Sequence, residues 1–242
     1  MPKRRSLDEK KGAAHGKGKP FAFRTAHYLR LLTGLKASSL SELADCLEKV
    51  DDMSIFYHIY HPIFSGHLVP EEYPNDFAYW TSDALRNYDL AERIADIDLP
   101  EPQNLDVLRK RLIGILCSDV EQNGDQPVRR GYEFHFITCT VVSFPTEWKA
   151  DTLFSFLDSV SSINPASIVY HKVTERFVNR YGVNGFSAWI RENFGYDELA
   201  NSISAIDPQT MISEEILRME LVNLGVVRSR SQVVCTGALE RT

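Results

Sequence analysis

The string SIFYHIYHPIF (Ser54–Phe64) returns 113 positions later as SIVYHKVTERF (Ser167–Phe177), and each is followed by an Asn-x-Phe-x-x-Trp string, Asn75–Trp80 and Asn184–Trp189. Working outward, FAFRT from Phe21 meets FHFIT from Phe134, Lys36-Ala37 meets Lys149-Ala150, and Leu40 meets Leu153, all at the same offset. The first copy then carries four extra residues around HLVPEEYP, after which the match resumes at an offset of 109. There Leu90-Ala91 meets Leu199-Ala200, Ile94 and Ile97 meet Ile203 and Ile206, and Leu108, Arg109 and Leu112 meet Leu217, Arg218 and Leu221. Two copies of a unit this long imply two pseudo-symmetric halves; a solenoid needs three or more short repeats.

The two copies must satisfy one backbone plan. YEFHFITCTVVSF from Tyr132 alternates and is rich in aromatic and β-branched residues, which predicts a strand. Its counterpart from Phe21 is then a strand through at least its first half, and turns at Thr33-Gly34 and Pro145-Thr146 lead into helices. Ser39 with Glu42 reads as a capping box ahead of Leu40, Leu43 and Leu47. The next helix starts near Asp51 or Asn164, and Pro62 is expected to end or kink it in the first copy. Helices then open at Asn75 and Asn184, run from Leu90 to Ile97 and from Leu105 to about Leu116, and recur at Leu199–Ile206 and Ile216–Leu224. The expected fold class is α+β and mainly α-helical: two tandem repeats, each one strand plus about five short helices. A lone strand needs a partner, so the strands of the two copies are expected to pair with each other. The divisions are a disordered basic tail (1–20), repeat 1 (21–116), a polar linker (117–131), repeat 2 (132–226) and a C-terminal tail (227–242).

Charge is uneven. Residues 1–20 hold seven Lys and Arg against Asp8 and Glu9, a balance of +5 that leaves −11 for the remainder of a chain whose formal net charge is −6. Such a tail cannot bury enough surface to order itself, and offers at most a weak contact to anions. The acidic body argues against a broad nucleic-acid surface. Cys46, Cys117, Cys139 and Cys235 have no paired spacing, which argues against a zinc knuckle or a secreted disulfide framework and for a reducing, cytoplasmic setting. No apolar run is long enough for a membrane span, and no signal peptide is expected.

The residues with chemical potential are Tyr57, His58, Asn75, Asp76 and Trp80. A His beside a carboxylate can do acid–base work, and Tyr with Trp can stack a sugar or a base. Against this, Asn75 sits where an N-cap is wanted and Trp80 suits a core. The second copy retains Tyr170, His171, Asn184 and Trp189 but places Gly185 where the first has Asp76, so residues common to both copies read as requirements of the fold. His58, His61, His67 and Asp76, or His171 with Glu175, do not recur as a set, so no metal is expected, and no phosphate loop or nucleophile motif implies a cofactor. The expected role is a non-catalytic regulatory or adaptor module that binds a partner protein or small ligand; the alternative is an enzyme or carbohydrate-binding protein with a pocket at the five residues named.

FAFRTA, TGLKASSLSEL, SIFYH, PNDFAYW and LAERIADID together resemble a bacterial and archaeal family, domain of unknown function 5752. The resemblance spans about Pro20 to Val226, is closer in the first copy, and departs in the second at Gly185 and SFPTEW. It implies a prokaryotic source and carries over no activity or catalytic residue.

Overall fold

Alternation in Phe21–Leu32 and Tyr132–Phe144 becomes two strands of equal length, β1 (Phe21–Ala37) and β2 (Phe134–Ala150), paired antiparallel as the only sheet among the described residues. The computed structural model describes residues 18–65, 73–97, 104–179, 183–211 and 213–225. The basic segment up to Lys17, the insertion with His67, and the C-terminal segment 227–242 lie outside them. At 17 residues each, the strands form a ribbon about 55 Å long. The expected pairing of the two strands is present, with Tyr28 opposite Val141 at its centre.

Both strands run further than the sequence suggested. The turns expected at Thr33-Gly34 and Pro145-Thr146 are instead bulges that interrupt the register without ending the strands. Thr33 and Thr146 hold them: each hydroxyl donates to a carbonyl across the ribbon, Thr33 to Phe136 and Thr146 to Phe23, both at 2.8 Å.

Helices follow each strand: α1 (Leu40–Lys49), α2 (Asp52–Ser65), α3 (Asp76–Leu85), α4 (Tyr88–Ala95) and α5 (Leu105–Asn123) after β1. After β2 come α6 (Leu153–Ser162), then α7 (Pro165–Val169) running through one wider π turn (Tyr170–Thr174) into α8 (Glu175–Val178). Next are α9 (Gly185–Phe194), α10 (Asp197–Ser204) and a last helix over 214–225. The fold class is therefore α+β and mainly helical. Local chemistry starts these helices where expected: Ser39, Asn75, Asn87, Asn104, Thr152, Asn164 and Asn184 each accept a hydrogen bond from a first-turn amide. Of the end or kink expected at Pro62, the end does not occur, since α2 continues through it to Ser65; α5 runs to Asn123, about two turns past the expected Leu116. At the far end of α1, Arg109 of α5 donates to the carbonyls of Leu47 and Val50, as Arg218 does to Ser161 and Ile163 at the far end of α6.

The ribbon carries each half's opening aromatics into the helices of the other. Phe21 packs its ring against Phe156, Phe186 and Trp189, and Phe23 against Phe156 and Phe186. Reciprocally, Phe134 packs against Phe77 and Trp80, and Phe136 against Phe77. Each such ring is worth about 1.5–3 kcal/mol on burial, so the exchange stabilises the fold more than any one hydrogen bond in it.

Candidate functional site

Two buried histidines clamp the ribbon. A two-stranded sheet leaves a row of unpaired amides along each outer edge. Nε2 of His58, on α2, accepts the amide of Ile137 on β2 at 2.9 Å, and Nε2 of His171, in the π turn, accepts that of Arg24 on β1 at 2.8 Å. An amide can only donate, so Nε2 contributes its lone pair and the ring proton sits on Nδ1. That proton goes to a carboxylate. His58 Nδ1 lies 2.7 Å from Asp76 Oδ2, and His171 Nδ1 lies 2.8 Å from Glu175 Oε2.

Asp76 comes from the first residue of α3, whereas Glu175 lies on the same helical path as its histidine. In the offset correspondence Glu175 replaces Pro62 and Gly185 replaces Asp76. A side chain on Gly185 would collide with the Glu175 carboxylate, so the glycine makes room for the relocated acid. The inference from sequence that the second half lacks this carboxylate is therefore corrected: the acid is present, moved to another element. The signal was Glu175 four residues after His171, read there only as a weak metal pair.

The other candidates are similarly engaged. Asn75 Oδ1 caps α3 through the Ala78 amide at 3.0 Å, and Asn184 Oδ1 caps α9 through Ser187 at 2.9 Å. Trp80 Nε1 donates to the Tyr132 carbonyl at 2.6 Å, and Trp189 Nε1 to that of Lys19 at 3.0 Å, pinning the residues just before each strand. Tyr57 stacks on His61 with ring centroids 4.7 Å apart, and Tyr170 meets His171 edge to face. Asp76 Oδ2 also lies 3.3 Å from His61 Nδ1. Tyr57, His58, Asn75, Asp76 and Trp80 thus surround one end of the ribbon, and Tyr170, His171, Asn184 and Trp189 the other. Among the described residues no three His, Cys, Asp or Glu gather as a metal site, and no helix is long and apolar enough to cross a membrane.

The model of a family of unknown function, DUF5752, matches residues 18–225. The chain belongs to that family. Within DUF5752 terms, the match takes in both strands, both histidine clamps and both tryptophan anchors. The structure of OrfY from Thermoproteus tenax is similar over 87% of this chain and 95% of that one, at 36% identity and a TM-score of 0.80. No curated protein matches the chain.

Proposed function

We propose that this DUF5752 member is a non-catalytic, cytoplasmic adaptor or regulatory module, made of two copies of one unit, that binds a partner protein on the outer face of its ribbon. The observation that carries the reading is the engagement of His58 and His171. With both ring nitrogens of each committed to a strand amide and a carboxylate, neither is free to shuttle protons, and the residues around them serve caps and anchors. The paired bonds of His58 and His171, Trp80 and Trp189, Thr33 and Thr146, and Arg109 and Arg218 support the duplicated unit. The unpaired thiols of Cys46, Cys117 and Cys139 fit a reducing compartment.

The partner surface is argued from exposure and charge. Leu29 (56% exposed), Leu31 (53%) and Phe144 (44%) share one face of the ribbon, opposite the face that Tyr28 turns to the helices. Apart from Arg30, which lies on the face of Tyr28, the exposed charged side chains of the two strands are Lys36, Lys149 and Glu147, a balance of +1 on an otherwise acidic chain. An apolar strip in a basic frame fits a protein segment that is apolar with acidic flanks.

The test is copurification from the source organism, comparing wild type with Leu29→Ser/Leu31→Ser/Phe144→Ser. The expected result is one stoichiometric acidic partner, weakened by salt and lost in the triple variant. A small-molecule adduct in native mass spectra, present in the triple variant and abolished by Asp76→Ala, would overturn this reading in favour of a pocket at Tyr57, His58, Asn75, Asp76 and Trp80.

A further inference from the structure

Behind the centre of the ribbon lies a cavity of about 340 Å³, on the face turned to the helices. It is lined by His27, Tyr28 and Arg30 of β1, Tyr57 of α2, Ala166 of α7 and Glu214 of the last helix. It therefore opens where the two halves of the chain meet, with the Tyr57 ring between it and the His58 clamp. Its volume is at the low end for small-molecule sites, too small for a nucleotide cofactor and adequate for a compact metabolite.

The wall chemistry is specific. Tyr28 is fixed by its hydroxyl, 2.6 Å from that of Thr174, and its ring lies beside that of Phe56. Arg30 and Glu214 bring opposite charges to the same cavity, yet they make no ion pair with each other and no hydrogen bond to another described residue. The neighbouring guanidinium of Arg218 is occupied by Glu215 and by the carbonyls of Ser161 and Ile163. Burial, with Glu215 next to it, holds the Glu214 carboxyl above its ordinary range, the condition a cationic ligand relieves. Charges of both signs that do not pair with each other, on exposed Arg30 and on partly buried Glu214 with Arg218 acting on it, fit this one aromatic-walled cavity to a ligand that carries both.

We propose that this cavity binds a free α-amino acid, its carboxylate on the Arg30 guanidinium, its ammonium on the Glu214 carboxylate, and its side chain against Tyr28 and Tyr57. This site is separate from the outer face assigned to a partner protein, and either can fail without the other.

The experiment is thermal unfolding and calorimetric titration of the full chain against the common L-amino acids at millimolar concentration, followed by the N-acetyl and methyl-ester forms of the best binder. The expected result is a higher unfolding temperature with one or a few amino acids and measurable binding heat. Arg30→Met and Glu214→Gln should each weaken binding about tenfold or more while retaining the native circular dichroism spectrum, and both blocked forms should lose binding. Absence of any response from every amino acid would overturn the proposal. So would binding that both variants and both blocked forms leave intact.

Discussion

Glu175 lies where a side chain on Gly185 would begin, and the two positions have exchanged roles with Pro62 and Asp76 of the first half. A carboxylate against the buried histidine is kept in both halves while the element that supplies it changes. What is retained is the polarisation of an imidazole whose other nitrogen holds a strand edge.

Gly185→Asp should therefore destabilise the protein, by about 1–3 kcal/mol, by driving a second acid into the space of Glu175. Glu175→Ala/Gly185→Asp rebuilds the arrangement of the first half and should recover part of the loss. Urea unfolding of the two singles and the double gives the coupling energy, expected to be favourable and about 0.5–3 kcal/mol.

His58→Ala and His171→Ala should cost comparable stability, about 1–3 kcal/mol each, because each leaves one edge amide without a partner and removes the shortest contact of one carboxylate. Denaturant midpoints would show this. A loss confined to His58 would mean that the two clamps are not equivalent.

Two carboxyl groups set opposite pH trends. Glu214 is held above its ordinary value of 4.5, chiefly by burial, so the folded state binds its proton more tightly and its contribution falls as pH rises from 4.5 through the folded value. Glu214→Gln should accordingly be more stable than wild type at neutral pH, with the advantage vanishing below 4.5. Asp125 feels burial too, but hydrogen bonds from Ser39, Ser41 and the Leu40 and Ser41 amides outweigh it and hold the group below its ordinary value of 3.8. Its contribution is present above 3.8 and is lost as pH falls through the folded value, so Asp125→Asn should be less stable at neutral pH and converge with wild type in acid. Thermal melts across pH check both signs.

Thiol chemistry should separate the cysteines. Burial, and then Asp51, push the Cys139 thiol up to about 12, and its Sγ lies 3.8 Å from the Met53 carbonyl. Cys46 is likewise buried and raised, chiefly by desolvation. Iodoacetamide should modify exposed Cys117 in the native state and reach Cys46 and Cys139 only on unfolding, as read by peptide mass spectrometry.

Much of the architecture was legible because its signals are local. Asn75 and Asn184 announce helix starts by their own side chains, and period-two alternation marks both strands. The pairing of β1 with β2 followed from the need of a lone strand for a partner. The relocation of the acid was not legible, since Asp76 and Glu175 occupy unrelated positions along the chain and converge only in space. Nor was the exchange of aromatics: Phe21 has the same local sequence whether its ring enters the helices that follow it or those 130 residues on. The cavity depends on Glu214 meeting Arg30 and Tyr28 from the far end of the chain, a juxtaposition that no short-range pattern encodes. The bulges at Thr33 and Thr146 read as turns because bulges and turns use the same residues.

The exchange of opening aromatics also constrains biosynthesis. When the ribosome has delivered α5, the helices of the first half are complete but the rings that fill their interior, Phe134 and Phe136, are only then emerging. Phe21 and Phe23 must in turn wait for α9, an interval of roughly 8–34 s at the ordinary rate of 5–20 residues per second. Nascent chains stalled before β2 should accordingly be cut readily by protease, and chains released after α9 should resist it. For this protein the maturation of either end is a single late event.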